Sequence, residues 1–446
     1  MRPHVSWADL RGGPVGVWGV GVEGRASLRK LRVLGVEPTV VVDDQPSGEP
    51  VEGAAVIATE PDGLRALAAC THVLKSPGIS RHGAAARAVE AGGALLVGGL
   101  GLWLEEADGS RVACVTGTKG KSTTASIAGA LAEGLGTRSA VGGNIGVPPW
   151  DPDAPTDVDR WIIETSSFQA ADVSRSPEVV VVTALAEDHL DWHGDLDGYV
   201  ADKLSLCTQP GARVTVANGD DPRLVAQRDL LGPEVVWVHV PPELPGWVDR
   251  LGLTGRHNLG NALLAQRALV ELGVAGADDP EALLAAAEGF AGLESRLQLL
   301  GAVDGVRFVD DGLATNVLPT VAALDAFAGE RVALLVGGHD RGVDYVPLAQ
   351  AVAAFEGALL VLTLPDNGDR IGATIRGLPL PPTVEVRATD GLDAAVEVAF
   401  AWAHPDGVVL LSPAAPSFGR FRDYRDRSRA FHAAVARCGK VVHPRD

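Results

Sequence analysis

Residues 112 to 131 constrain this chain more than any other stretch. An apolar run, Val112-Ala113-Cys114-Val115, stops at a glycine turn, Gly117-Thr118-Lys119-Gly120. Lys121-Ser122-Thr123 then opens an apolar-periodic stretch through Ile127, Ala128 and Leu131. Buried strand, glycine loop and helix in immediate succession form a βα unit, and the order makes a phosphate cradle. Backbone N–H groups turn inward, the helix N-terminus adds positive potential, Lys121 reaches terminal phosphates, and Ser122 or Thr123 can hold Mg²⁺. The pattern is shorter than G-x-x-x-x-G-K-S/T, because Val115 stands where its first glycine belongs.

At 446 residues the chain is too long for one core, so two to four domains are expected. No apolar run approaches the ~20 residues of a membrane span, and no secretory signal is visible, so a cytoplasmic protein with no membrane partner is expected. The four cysteines are scattered without metal spacing and read as reduced, packed thiols. A net charge of −19 argues against nucleic acid as a partner. Positive charge for an anionic nucleotide must therefore be concentrated locally. Only six lysines stand in the sequence, Lys30, Lys75, Lys119, Lys121, Lys203 and Lys440, and two of them lie in the phosphate loop.

The same strand–helix alternation recurs along the chain. Val15 to Trp18 leads into Gly19-x-Gly21-x-x-Gly24-Arg25, a helical stretch from Ala26 to Leu34, and a strand ending at Asp43-Asp44. This is a dinucleotide-type βαβ unit, open to NAD, to a UDP-sugar, or to a reading as a tight βα turn alone. Further strand-like runs are Thr71–Leu74, followed by the loop Lys75-Ser76-Pro77-Gly78, and Ala94–Val97. A turn at Ala107–Ser110 marks a boundary. Runs at 160–164, 179–183 and 214–217 alternate with helices, which predicts a mostly parallel sheet. The pattern restarts near residue 293, with strands at 306–309, 332–336, 359–362 and 408–411. The expectation is a three-domain α/β chain: residues 1–108, Rossmann-like; 109–293, a phosphate-loop domain; and 294–446, a second Rossmann-like domain.

Polar groups gather at strand ends. Glu164 closes the apolar run Ile162-Ile163 and stands where an acid organising Mg²⁺ near a phosphate loop would stand. Glu187-Asp188-His189-Leu190-Asp191 puts a histidine among acids after another strand, a candidate metal ligand. Tyr199-Val-Ala-Asp-Lys203 follows on a helix.

These segments together resemble the Mur ligases, over essentially the whole chain. The marks are Gly117 to Thr123, Gly142-Gly-Asn144-Ile-Gly146, Glu164-Thr-Ser-Ser-Phe-Gln169, Glu187 to Asp191, Tyr199-x-x-x-Lys203 and Gly255-Arg-His-Asn-Leu-Gly-Asn261. Further along stand Ser295-Arg296, Asp310-Asp311 with Ala314-Thr315-Asn316, and Leu411-Ser-Pro-Ala-Ala-Pro-Ser417-Phe418. The Ser-Ser-Phe-Gln and Ser-Pro-Ala segments favour the glutamate-adding, MurD-type branch. The resemblance implies UDP-binding, ATPase and amino-acid-binding domains, ATP and Mg²⁺, and a monomer. It also implies UDP-N-acetylmuramoyl-L-alanine and glutamate as substrates, joined through an acyl phosphate.

By the same resemblance Lys121, Asn144, Glu164, His189, Lys203 and Arg296 carry the chemistry. Ser122, Glu164, His189 and a carbamylated Lys203 hold the metal ions. Gly117, Thr118, Lys119, Gly120, Lys121, Ser122, Thr123, Asn258, Asn261, Arg296 and Asp311 bind ATP. Gly21, Val22, Glu23, Gly24, Arg25, Asp43, Ser76, Gly78 and Asn144 hold the UDP substrate. Thr315, Arg341, Ser417, Phe421 and Tyr424 hold the glutamate.

One departure affects specificity. The family's Asp-Ser-Lys-Ala-Thr-Asn is Asp311-Gly312-Leu313-Ala314-Thr315-Asn316, without the lysine. Loss of a cation beside an incoming glutamate removes a charge-assisted contact of about 1.5–3 kcal/mol. Members of a branch that adds L-glutamate, and relies on a separate epimerase, also lack it. The expectation is therefore an L-glutamate ligase. An ordinary D-glutamate ligase is the alternative; a folylpolyglutamate synthase and a non-catalytic relative are more distant ones.

Overall fold

The computed structural model describes the chain except Met1, Pro3, Ser47, Thr254, Gly289, residues 291–293, Arg341, Phe418, residues 443–446 and the Leu318 side chain. The expected boundary at 293 thus falls outside the described residues. Residues 1–251 with 257–290 form one compact unit, and 252–256 with 291–446 another.

Three sheets run in chain order. The first holds β1 (Val15–Trp18), β2 (Val40–Asp43), β3 (Val56–Ala58), β4 (His72–Lys75) and β5 (Leu95–Val97), in the order β3-β2-β1-β4-β5 and parallel throughout. The second holds β6 (Val112–Thr116), β7 (Ser139–Gly143), β8 (Arg160–Glu164), β9 (Val179–Val182), β10 (Val214–Asn218) and β11 (Val235–Val238). Its order is β11-β10-β9-β6-β8-β7, again parallel. The third holds β12 (Gln298–Val303), β13 (Val306–Asp310), β14 (Arg331–Val336), β15 (Ala358–Thr363), β16 (Val384–Ala388) and β17 (Val408–Leu411). Its order is β12-β13-β17-β14-β15-β16, with only β12 antiparallel to its neighbour.

The central strands are apolar at successive positions because both faces are covered. In the third sheet Leu334, Val336, Leu359 and Val361 join one core. Ala333, Leu335, Leu360 and Leu362 join another on the opposite face. In the first unit a single core runs across two sheets, from Val15, Val17 and Leu100 to Cys114, Ile163 and Val180. Trp7 and Trp150 meet with ring centroids 6.5 Å apart, and Trp103 meets Trp161 edge-on at 5.7 Å. Lys75 pairs with Asp172 at 2.6 Å, both side chains enclosed. Among the described residues no helix is long and apolar enough to cross a membrane.

Candidate active site

The phosphate loop leaves β6 and enters the helix Lys121–Gly134. Two positive φ values make its shape, +139° at Gly117 and +88° at Gly120. Both positions are also crowded. A Cβ on Gly120 would stand 2.5 Å from Asn261 Oδ1, and one on Gly117 would overlap Thr183 Oγ1. Side chains at either place would be strained and obstructed. Lys121 folds back and donates to the Gly117 and Thr118 carbonyls, at 3.0 and 3.3 Å. Thr118 Oγ1 lies 2.7 Å from the Tyr199 hydroxyl and accepts from the Ala186 N–H at 2.9 Å. Lys119 faces Asp188 at 3.6 Å. Ser122 and Thr123 are buried in the first turn of the helix.

Lys203 reaches this loop from the helix Leu196–Leu204. Its fully enclosed Nζ donates to Gly117 O at 2.9 Å and lies 4.9 Å from the centre of the Tyr199 ring, one helical turn away. Burial, aided by the charge of Lys121, holds its pKa well below the ordinary lysine value. A neutral amine is favoured there.

At the end of β8, Glu164 is also enclosed. Its Oε1 accepts from Asn144 Nδ2 at 2.8 Å, and the Asn144 N–H donates to Glu164 O at 2.8 Å. Gly143 makes this approach possible, since a Cβ there would overlap Glu164 O. Oε2 is buried without a hydrogen-bond partner. A carboxylate oxygen in that state is costly unless something positive meets it. Beside the phosphate loop, a hard oxygen donor of this kind fits Mg²⁺. His189, at φ +52°, rests against Phe168 with ring centres 4.7 Å apart. Burial keeps its pKa below the usual histidine value, with Lys203 and Lys119 acting the same way and Asp188 opposing. That favours the neutral ring a metal ligand requires. Asn258 and Asn261 lie buried one turn apart on the helix Arg256–Glu271, the latter against Gly120.

The glycine loop of the first sheet is tied down internally. Asp43 accepts from the Val20 and Gln45 N–H groups at 2.8 and 3.0 Å, and Ser76 Oγ donates to Gly19 O at 3.0 Å. Gly24 lies so close to Gly19 O that a Cβ would overlap it. Gly21, Val22 and Arg25 are exposed at the rim. The Gly78 carbonyl accepts from Trp192 Nε1 at 3.2 Å. Glu23 turns to Gln169, whose Nε2 donates to Oε1 at 2.6 Å. The residue is only half-buried, yet its carboxyl is surrounded closely enough that burial pushes its pKa up to about 7.

The second unit carries the remaining expected residues. Asp311 is buried and accepts from Ser412 Oγ at 2.6 Å and the Leu297 N–H at 3.2 Å. Burial pushes it up to about 7, against these hydrogen bonds and the charge of Arg296. In the unfolded chain this proton leaves near the ordinary aspartate value of 3.8. The group's stability contribution is therefore complete below about pH 4 and is lost as pH rises through about 7. Asp311→Asn should show a flatter dependence of unfolding free energy on pH in that window. Urea melts giving parallel profiles for both proteins would refute the assignment. The Thr315 N–H donates to Leu313 O at 2.8 Å, and Tyr424 opens the helix Tyr424–Cys438. Ser417 and Phe421 line a cavity of about 250 Å³. Arg341 lies outside the described residues.

One group escaped the sequence reading. His82 Nε2 and His193 Nδ1 both face Asp202 Oδ2, at 2.7 and 2.8 Å, and His193 Nε2 meets Ser167 Oγ at 2.9 Å. Asp202 precedes Lys203, so this network fixes the lysine's helix against the segment that follows Glu164. The available signal was His193, four residues after His189; both rings pack against Phe168, with centres 5.6 and 4.7 Å from its own.

Comparisons with known proteins agree with this geometry. Residues 115–238 match the Mur ligase middle domain, and 295–415 the Mur ligase glutamate ligase domain. A Micromonospora protein, UDP-N-acetylmuramoyl-L-alanine–L-glutamate ligase, is 41% identical over 96% of this chain and 97% of its own length. A Xanthomonas euvesicatoria protein of the same name is 40% identical over 95% of each. Among solved structures, a UDP-N-acetylmuramate-alanine ligase from Thermotoga maritima shares the fold at a TM-score of 0.57 and 18% identity, covering 96% of this chain and 100% of its own. By the near-complete likeness to the first two, this chain belongs to the Mur ligase family.

Proposed function

We propose that this chain joins L-glutamate to UDP-N-acetylmuramoyl-L-alanine at the expense of ATP, as a cytoplasmic step in making peptidoglycan precursors. The observation that carries the reading is likeness of about 40% over nearly the full length to relatives all named for that reaction. The first sheet is assigned to the UDP substrate (residues 1–108), the second to ATP (109–293) and the third to the amino acid (294–446).

The γ-phosphoryl group passes to the acceptor carboxylate, ADP leaves, the glutamate amine attacks the acyl carbon, and phosphate departs as the amine loses a proton. Lys121 neutralises charge on the moving phosphoryl group. Gly117 to Thr123 wrap the phosphates, and Asn258 and Asn261 stand beside the loop for the base. Asn144, tied to Glu164, orients the acceptor. Ser122, Glu164, His189 and Lys203 would hold Mg²⁺, which supplies charge screening between two anions that must meet. Lys203 enters that set as a carbamate: its neutral amine adds CO₂ and releases a proton, giving a carboxylate. Arginine cannot do this, which accounts for a lysine in a chain rich in arginine. Arg296 and Asp311 are assigned to ATP. Thr315, Arg341, Ser417, Phe421 and Tyr424 are assigned to the glutamate.

The missing cation at Leu313 supports the L isomer, and a separate epimerase would then invert the added residue. Phosphate release with ATP, Mg²⁺ and UDP-N-acetylmuramoyl-L-alanine tests this. Turnover is expected with L-glutamate and not with D-glutamate. Turnover with D-glutamate alone would make the Gly312-Leu313 change a neutral one.

A further inference from the structure

His82, His193 and Asp202 have no task in the proposed chemistry. His82 Nε2, His193 Nδ1 and Asp202 Oδ2 are all able to bind a metal, and the group's ligand atoms lie within 4.8 Å of one another. Three segments supply them: the loop between β4 and the helix Ala84–Ala91, the helix Leu190–His193 and the helix Leu196–Leu204. Both imidazoles converge on Asp202 Oδ2, while Arg2 approaches the other oxygen, Oδ1, at 3.6 Å. Asp202 and Lys203 are successive on their helix, so their side chains leave it about 100° apart. Lys203 turns to Gly117 and Asp202 to the histidines. Glu164, His189 and Lys203 are not members of this group.

Two imidazole nitrogens and one carboxylate oxygen make a donor set for Zn²⁺ or a similar transition ion. Mg²⁺ prefers oxygen donors, so it competes poorly for such a set. Ser167 supplies the outer support. Its Oγ lies 2.9 Å from His193 Nε2, and a hydroxyl can donate to that nitrogen or accept from it. While Nδ1 holds its proton toward Asp202, Ser167 donates to Nε2. When Nδ1 gives its lone pair to a metal, the proton sits on Nε2 and Ser167 accepts it. The ring is also held in place by Trp192, Tyr199 and Phe168, with centres 4.4, 5.3 and 5.6 Å away. The nitrogen–oxygen separations are 2.7 and 2.8 Å. Ligands on a tetrahedral ion with bonds of about 2.0–2.1 Å stand about 3.3 Å apart, so each must open by about half an ångström. His82, on a loop and with its side chain 44% exposed, has room to retreat, and water from that side would complete the fourth position.

We infer that His82, His193 and Asp202 form a site for Zn²⁺ or a like transition ion, separate from the Mg²⁺ set, which cross-links the loop after β4 to the two helices that follow β9. The inference goes beyond the ligase reading and does not rest on it.

The test is a titration of the untagged, metal-stripped chain with Zn²⁺ against a chromophoric chelator, in excess Mg²⁺, with the melting temperature read before and after loading. The wild type should bind one Zn²⁺ despite the Mg²⁺ and melt higher once loaded. His82→Ala should weaken Zn²⁺ by about a hundredfold or more, beyond the 10–100-fold typical of losing an outer partner, and abolish the melting shift. His82→Gln keeps a hydrogen-bond donor for Asp202 without an imidazole, so it should fold as the wild type does and lose Zn²⁺ as the alanine protein does. His239→Ala is the control. His239 Nδ1 meets Asp220 Oδ1 at 2.9 Å in an exposed pair outside the group, and this protein should bind Zn²⁺ as the wild type does. If His82→Ala does not fold, the glutamine protein decides. No Zn²⁺ bound by the wild type in excess Mg²⁺ overturns the inference. Equal Zn²⁺ affinity in the wild type and His82→Gln overturns it as well, and places the ion elsewhere.

Discussion

Lys203→Ala is expected to lower turnover at least about a hundredfold, the scale of removing a preorganised charge from a phosphoryl-transfer site. Short carboxylic acids should restore part of the loss, because truncation leaves a space beside Gly117 and the lost group is, in this reading, a carboxylate. Lys203 Nζ also donates to the Gly117 carbonyl, so the alanine protein loosens the phosphate loop as well. Lys203→Arg separates the two roles. It can keep an N–H donor near Gly117 and cannot carry a carbamate. It should be as inactive as the alanine protein and should not respond to acetate or propionate. An arginine protein with near wild-type turnover would show that the lysine serves the loop alone.

Glu164→Gln is expected to cost about 10²–10³ in kcat, with a raised requirement for Mg²⁺. Thermal stability should not fall. The carboxylate now keeps one oxygen buried without a partner, and the amide has nearly the same shape without the charge. Activity lost with melting temperature held or raised marks a group kept for function at a cost to the fold. A melting temperature lowered by many degrees, with turnover reduced only a few-fold, would instead make Glu164 a structural residue.

How much of this could be read in the sequence followed from where each strand lies. β1, β4, β6, β8, β9, β13, β14, β15 and β17 have neighbours on both sides, and their apolar runs stand out. The strands that escaped notice, β3, β7, β11, β12 and β16, each end a sheet. β16 is open to solvent at most positions, and Val-Glu-Val-Arg-Ala carries no buried run to detect. The phosphate loop was legible because backbone geometry demands glycine at 117 and 120. The enclosure of Lys203 and the orphaned oxygen of Glu164 were not, since burial depends on which segments the topology brings together. Asp202, His193 and His82 meet across 120 residues of chain, and no spacing announces that.

The core that runs unbroken beneath the first two sheets bears on how such enzymes can be taken apart. A fragment ending near residue 108 would carry half of a shared apolar wall, with Trp7 and Leu100 facing water in place of Trp150 and Ile163. Half of an enclosed Lys75–Asp172 pair would be left without its partner. Such a fragment is expected to aggregate rather than stand alone, as is a transplant of the first sheet onto a relative whose second sheet does not match. On the proposed assignment of the first sheet to the UDP substrate and the second to ATP, change in one is thereby tied to change in the other, so new acceptors would be reached more readily by altering rim residues such as Val22 and Arg25 than by exchanging the module.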